Sequence, residues 1–316
     1  MCWAVLATAL STGCAYGPES REHYAAVGVL RACRPSTSEG ATDESYRALA
    51  GDVLPSASAA PAAFSDEARS VAAAIGVVHL LNELTLSGGS HSELTKLMLR
   101  QRLLEGIVNA MLDVAATVAE IDCEGERADQ LRDRLRALQE HGLRQATFLS
   151  MFAGAVTSIA SGALAGWTNA SAKTIAGVDI AGGIVEAGSS ITALRVLPRG
   201  GLNTDRNLLT ELWDGGDQPK YLRLSVWRYL NQSTRRAAPF RTLREGLVAE
   251  WKAGGRLGEP GTEEERRRTA LMFGAGGSYT IEDLLARDSI LDLLGATVAR
   301  MSQDLEALLR EVRRVP

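Results

Sequence analysis

The residue types that most often do chemistry in proteins are sparse in this sequence. Four histidines, His23, His79, His91 and His141, stand far apart, and no His-x-x-x-His spacing places two imidazoles on one helix face toward a metal ion. No Gly-x-Ser-x-Gly turn exposes a nucleophilic serine. We therefore expect a protein that is not an enzyme, with no cofactor and no metal, and we interpret His79 as a hydrogen-bonded core residue.

Cysteine offers three further chemistries: metal binding, disulfide formation and lipidation. Cys2, Cys14, Cys33 and Cys123 lack the close pairs that zinc sites use. In an oxidising compartment Cys33 and Cys123 could pair and close a loop of about ninety residues. On the chain-entropy model, this closure would stabilise the fold by roughly 4 kcal/mol. The alternative is two isolated thiols, with Cys123 acting as a small apolar side chain on a helix.

The first fourteen residues have the outline of a secretion signal. A short apolar run at residues 3–10 is too brief to span a membrane, and small residues follow it. The sequence Leu10-Ser11-Thr12-Gly13-Cys14 resembles the lipobox of bacterial lipoproteins. This resemblance implies a signal peptide at 1–13, a lipid on Cys14 and a location in the cell envelope, facing the periplasm or the cell surface. A buried N-terminal helix with an ordinary free cysteine is the alternative.

Residues 14–64 are predicted to form the anchor and a flexible linker. Ser, Ala, Pro, Gly and Thr dominate this stretch from Arg34 onward, a composition that favours a tether over a packed element. A tether would let the folded part stand away from the membrane that holds the lipid.

The composition indicates a folded, helical chain. Apolar residues make up 46% of the 316 residues, enough for a sizeable core, whereas aromatic residues make up only 5%. Because Ala, Gly and Leu abound where strands would need β-branched and aromatic residues, we expect an all-α fold. The net charge of −4, with acids and bases interspersed, provides no basic surface for nucleic acid. No small-molecule substrate is indicated either.

Long helices are the elements that must position any functional residue. In region 65–142, Ser90 and Glu93 form a capping box at the start of a long helix that is predicted from His91 to His141. Its apolar series at spacings of three and four includes Leu94, Leu97, Leu104, Val108, Met111, Ile121, Leu131 and Leu135. We expect this series to be the face that packs against other helices of the chain.

A Gly/Ala-rich segment, 143–200, follows the long helix. No ionisable side chain occurs from Gln145 to Ala172, and small residues recur there at every fourth position: Gly154, Ser158, Gly162 and Gly166. Small residues at this interval line one helix face and let a second backbone approach closely. With a turn at 167–171 and a return helix at 173–197, the segment is predicted to form a helical hairpin.

Two environments are open for this hairpin: tight packing within a folded protein, or insertion into a bilayer. The apolar side chains of its first helix favour insertion by about 2 to 4 kcal/mol, while Asp179 or Glu186 at the membrane centre would each oppose it by about 3 kcal/mol. Because these opposing contributions are similar in size, both environments stay open.

The C-terminal part contains a small helical insert and a heptad helix. Residues 201–278 are predicted to fold around Trp213, Trp227 and Trp251, with a hinge at 274–277. In 279–316, apolar residues repeat with heptad spacing at Leu284, Leu291, Leu294, Val298, Met301, Leu305, Leu308 and Val312. Such a seam must be buried against another helix. We expect the long helix of the same chain in an antiparallel coiled-coil-like bundle, although pairing between copies would satisfy the same seam.

These features favour a non-enzymatic scaffold or interaction protein of the cell envelope. It would contact the membrane through its lipid anchor and have a second copy or another protein as partner. The alternative is a membrane-inserting protein whose hairpin oligomerises, as in a pore, a secretion component or a toxin-like effector.

Overall fold

The structure, a computed structural model, describes Cys33 and residues 57–86, 92–167, 198–204, 206–233 and 238–315. For part of 145–150 and for 152–167 it describes the backbone alone. The predicted signal peptide, Cys14, most of the predicted linker and the predicted return helix at 173–197 lie outside these residues.

The described chain is mostly helical, which confirms the predicted class at that level. The helices are α1 (Asp66–Ala74), α2 (Val78–Leu86), α3 (Glu93–Trp167), α4 (Leu208–Asp214), α5 (Leu224–Asn231), α6 (Leu243–Ala253), α7 (Glu263–Phe273) and α8 (Ile281–Val312). A short 3-10 helix, Ala57–Ala59, precedes α1. Strands β1 (Gly200–Asn203) and β2 (Gly276–Tyr279) pair in a two-stranded sheet, which the composition did not predict.

Two compact units divide the chain. The larger consists of Arg31–Gln130, Leu202–Gly277 and Glu282–Pro316, and the smaller of Met1–Leu30, Leu131–Gly201 and Ser278–Ile281. In the smaller unit, a Cβ atom at Gly200 would collide with the side chain of Leu131. Glycine at this position therefore lets β1 lie close to α3.

Helix α3 runs without a break through the predicted boundary at residue 142. It has 75 residues and contains no proline, so no residue removes a backbone donor from its interior. The Ser92 hydroxyl accepts a hydrogen bond from the amide of Thr95 at 3.2 Å and caps the start, while Ser90 lies outside the described residues. The regions 65–142 and 143–200 therefore share one helix.

Helix α8 buries the whole heptad seam, and within the larger unit it contacts α3 as well as α5 and α7. Every seam residue is at most 3% exposed. Near the start of α3, Arg100 donates a hydrogen bond to the Val315 carbonyl at 2.7 Å. Further along α3, Glu124 pairs with Arg287, near the start of α8, at 3.4 Å. Because early residues of one helix meet late residues of the other, α8 runs antiparallel to this part of α3.

The short helices of 201–278 begin at polar caps and cover an aromatic core. Side chains at three helix starts accept a hydrogen bond from a first-turn amide: Asn207, Thr242 and Thr262. Trp251 and Trp227 are buried, and Trp213 stacks on Phe273 with ring centroids 4.2 Å apart. The predicted tryptophan core is therefore extended by Phe273, whose ring also stacks on Trp251.

Strand β2 begins inside the predicted hinge at 274–277. Gly276 has a φ angle of 88°, and a Cβ atom there would collide with the carbonyl oxygen of Leu202 on β1. The Thr204 amide donates to the Ala275 carbonyl at 3.0 Å. Residues 276–277 of the predicted hinge therefore belong to a paired strand, because the glycine allows close approach of two backbones.

The folded part begins before Ser65. Ala60 and Phe64 are buried, and Asn82 on α2 donates a hydrogen bond to the Ala59 carbonyl at 3.1 Å. Burial of a phenylalanine side chain contributes roughly 2 kcal/mol, which opposes the entropy of a flexible linker. Residues 57–64 therefore belong to the larger unit instead of the predicted tether.

Candidate functional site

The outer face of α3 carries an exposed apolar stripe in the larger unit. It consists of seven side chains that are 42% to 67% exposed: Leu94, Leu97, Met98, Leu104, Val108, Met111 and Leu112. We call this set the α3 stripe. Single exposed apolar residues are normal on a protein surface, but seven on one face within about five helical turns form a patch that requires an explanation.

Heptad spacing places these seven residues on one side of the helix. With Leu94 assigned to position a, the stripe occupies a, d and e positions as far as Leu112. The buried residues of the same stretch lie on the opposite side: Leu99, Leu103, Ile107, Ala110 and Val114. Helix α3 therefore has two apolar faces here, one covered by its own chain and one exposed.

This arrangement corrects the predicted packing face of the long helix. Ile121, Leu131 and Leu135 of the predicted series are buried, but its first part, from Leu94 to Met111, is exposed. Because both faces of α3 are apolar over this stretch, periodicity alone selected the wrong one.

Polar side chains border the stripe and carry charges of both signs. Gln101 occupies the a position between Leu94 and Val108, and its amide donates to the Glu105 carboxylate at 3.1 Å. Arg102 and Glu105 are exposed. A helix that lies on the stripe would therefore meet an apolar centre with one polar layer and a charged border.

A row of polar residues follows the inner side of α3, with Glu120 half-buried and the others buried: Asp113, Thr117, Glu120 and Glu124. Their intervals of three and four place them on one face. Asp113 accepts a hydrogen bond from the Ser225 hydroxyl at 2.8 Å, and Glu120 accepts from Arg206 Nε at 2.5 Å. These bonds attach α5 and the segment before α4 to α3, which is a structural role.

Burial raises the pKa of the Glu120 carboxyl, because desolvation outweighs the hydrogen bond and attraction from Arg206. Burial likewise raises the pKa of Glu211, although the amide of Leu222 donates to its carboxylate at 3.1 Å. Both carboxyls are bonded to protein groups, as is usual for structural contacts in a core.

A second charge cluster lies where α7 meets α8. Asp283 is fully buried and accepts hydrogen bonds from Arg267 at 2.6 Å and from Arg268 at 3.1 Å. The hydrogen bond from Arg267 lowers the pKa of Glu264, and Asp283 together with Glu264 raises the pKa of Arg267. Asp283, in the first turn of α8, thereby holds α7 in place.

Cys33 and Cys123 are joined by a disulfide, with their Cα atoms 5.7 Å apart. The bond ties residue 33, which lies inside the predicted anchor and linker region 14–64, to the middle of α3. Disulfides form and persist in oxidising compartments, the bacterial periplasm among them.

The other predicted site residues are only partly described. Gly154, Ser158, Gly162 and Gly166 all lie on the helical backbone of α3, but the contacts of their face are outside the described residues. Cys14 also lies outside them. His79 is exposed on α2, so its predicted core role is wrong.

Neither a metal centre nor a membrane span is found in the described parts of the chain. There, no three His, Cys, Asp or Glu side chains come together as metal ligands. None of the helices within those parts combines the length and hydropathy needed to cross a bilayer.

Comparison of the chain with protein-family models, curated proteins and solved structures gives no match. The α3 stripe is therefore the feature on which a functional proposal rests.

Proposed function

We propose that this protein is a non-enzymatic scaffold or interaction protein of the bacterial cell envelope, held at the membrane by a lipid on Cys14, and that its α3 stripe binds a helix. The observation that carries the proposal is the exposure of seven large apolar side chains at a, d and e positions. A stripe of this width matches the contact face of one partner helix.

The size of the stripe favours binding over chance exposure. A fully exposed leucine side chain presents roughly 130 Å² of apolar surface, so seven side chains that are about half exposed present on the order of 500 Å². Patches of roughly 300–600 Å² are the largest on typical monomers and are often functional. Covering this stripe would contribute about 12 kcal/mol before the entropy costs of association.

The stripe lies on a rigid support. Leu103 and Ile107, on the inner side of the same turns, are buried, and a Cβ atom at Gly106 would lie only 2.9 Å from Val77. This close packing holds α3 against the N-terminal helices of the larger unit. A preorganised surface loses little conformational entropy when a partner binds.

Two observations support a location in the envelope. The lipobox-like sequence ends at Cys14, and the disulfide between Cys33 and Cys123 fits an oxidising compartment. Lipid on Cys14 would place the larger unit beside the membrane at the end of a linker.

The proposal also includes a finer architecture. Burial of the whole α8 seam supports coiled-coil-like packing of α8 on α3. The small residues from Gly154 to Gly166 support a helical hairpin in 143–200, with that face against the return helix.

Crosslinking in cells tests the binding role. A photoreactive amino acid at Leu97, in the α3 stripe, should form adducts of higher mass. At Leu285, an exposed leucine of α8 that is 43% exposed, it should form few. Equal yields at both positions, or none at Leu97, would contradict a binding role for the stripe.

Membrane insertion of the hairpin is the second candidate function, favoured by Phe148 and Met151, which are 68% and 65% exposed in the stretch without ionisable residues. Carbonate washing of membranes from cells that produce Cys14→Ala separates the two candidates. An inserted hairpin would keep this variant in the membrane, whereas a protein held only by lipid would be released.

A further inference from the structure

We propose that the helix bound by the α3 stripe is the α3 stripe of a second copy, paired antiparallel about a twofold axis. The inference rests on the proposed binding role of the stripe and names its partner. It follows from which side of the stripe is open, from the match of a and d positions, and from the charges at the border.

The exposed side of the stripe selects the antiparallel direction. Met98 and Leu112 extend the stripe at e positions, whereas the g positions Ile107 and Val114 are buried under the rest of the chain. In a parallel pair each e position faces a g position of the other helix, which here is already covered. In an antiparallel pair e faces e, so the exposed sides of both copies meet.

The a and d positions match under a twofold axis. Antiparallel helices form layers in which an a residue of one helix lies opposite a d residue of the other. When Leu94 lies opposite Met111, Leu97 lies opposite Val108, and Gln101 lies opposite Leu104. Symmetry repeats each layer, which gives an isologous interface with the same contacts on both copies.

Border charges select this register. Arg102 of one copy and Glu105 of the other then differ by about 3 Å in height along the axis, so opposite charges lie within reach. A shift that places Leu104 opposite Val108 would instead bring the two Glu105 carboxylates to within about 3 Å of each other in height. Repulsion between like charges disfavours that alternative.

The buried area suits a dimer. Each copy contributes on the order of 500 Å² of apolar side-chain surface, and the pair buries roughly 1,000 Å² before the polar border is counted. A specific interface needs about 1,000 Å² or more. The buried area would therefore lie near the lower limit for stable interfaces, and the dimer would dissociate at low concentration.

Sedimentation equilibrium of the full chain carrying Cys2→Ala and Cys14→Ala, which leaves the native disulfide intact, measures the pairing. We expect a concentration-dependent dimer. Leu97→Glu should weaken it at least tenfold, because each dimer then holds two carboxylates in its apolar layers. The matched control Leu285→Glu should leave it unchanged, and circular dichroism should show that both variants keep their helix content.

Disulfide trapping tests the direction and register in the same background. Leu97→Cys combined with Val108→Cys should link two copies on oxidation. Within one helix these positions are about 16 Å apart and cannot bond to each other. Val108→Cys alone should stay unlinked in the antiparallel pair. Ready linking of this single variant would show a parallel pair and overturn the inference.

The same measurements separate failure of this inference from failure of the proposed function. The chain could stay monomeric in sedimentation and still form adducts with a different protein when Leu97 carries the photoreactive group in cells. In that case the stripe binds a helix, but the helix does not belong to a second copy. A monomer without adducts of higher mass contradicts both proposals. A dimer that Leu97→Glu does not weaken uses another surface, which also overturns the inference.

Discussion

Leu103 and Leu104 are neighbours on α3 with opposite surroundings, and replacing each by alanine tests the assignment of the two faces. Leu103 is fully buried, while Leu104 is 42% exposed. The substitution removes the same atoms and changes helix propensity equally at both positions. Any difference between the two variants therefore reports burial.

The expected magnitudes differ several-fold. At Leu103, the lost transfer of three carbon atoms is worth about 2.4 kcal/mol, and the cavity left behind brings the total loss of unfolding free energy to about 3–5 kcal/mol. At Leu104, the loss within a single copy should stay below about 1 kcal/mol, because the site is open to water.

Urea unfolding followed by circular dichroism at several protein concentrations measures both effects. For the unchanged chain the midpoint should rise with concentration, since a dimer is favoured by mass action. Leu104→Ala should flatten this rise, and Leu103→Ala should lower every midpoint while keeping the rise. Equal losses at both positions, with no dependence on concentration, would show that the chain itself covers the stripe and would refute this account of α3.

Four further outcomes are expected. Leu305→Asp should cost more than about 3 kcal/mol of unfolding free energy, because it buries an unpaired charge in the α8 seam, whereas Leu285→Asp on the exposed side should cost less than about 1 kcal/mol. Cys33→Ser should lower the unfolding free energy by about 4 kcal/mol through loss of the loop constraint, and equal urea midpoints for the oxidised and reduced chain would contradict this. Mass spectrometry of the mature protein should find Cys14 at the N-terminus with attached acyl chains, and an intact N-terminal methionine would reject the anchor. Because burial raises the folded-state pKa of Glu120, its contribution to stability should fall as pH rises from about 4.5 through that raised pKa, and Glu120→Gln should lack this loss in urea titrations at each pH.

The sequence predicted the elements whose signals are local. The α8 seam was identified from its heptad spacing, and all of its residues are buried. The long helix was identified from spacing and the absence of proline, although it continues through the predicted boundary at 142 and is described as far as Trp167. A glycine at 142 lowers helix propensity by only about 1 kcal/mol, which neighbouring turns outweigh.

Contacts between distant parts of the chain could not be predicted in the same way. Arg287 is 1% exposed and pairs with Glu124, 163 positions away in sequence. By composition alone, an arginine on a charged helix indicates a solvated face. Burial of Arg287 depends on an acid that only the fold brings near. Burial of Asp283 likewise depends on Arg267 and Arg268, which the fold places beside it.

The proposed lipid on Cys14 and the exposed face of α3 bear on the same question, which is how strongly two copies pair. The inner face stabilises the chain, whereas the outer face, left open, would favour unspecific association. A lipid on Cys14 would confine copies to a membrane surface and raise their effective concentration, on the order of millimolar for short flexible tethers. At that concentration a pair with a dissociation constant near 1 µM, worth about 8 kcal/mol, is almost fully formed. An interface of only about 1,000 Å² is then sufficient at the membrane, although the same copies would separate in dilute solution.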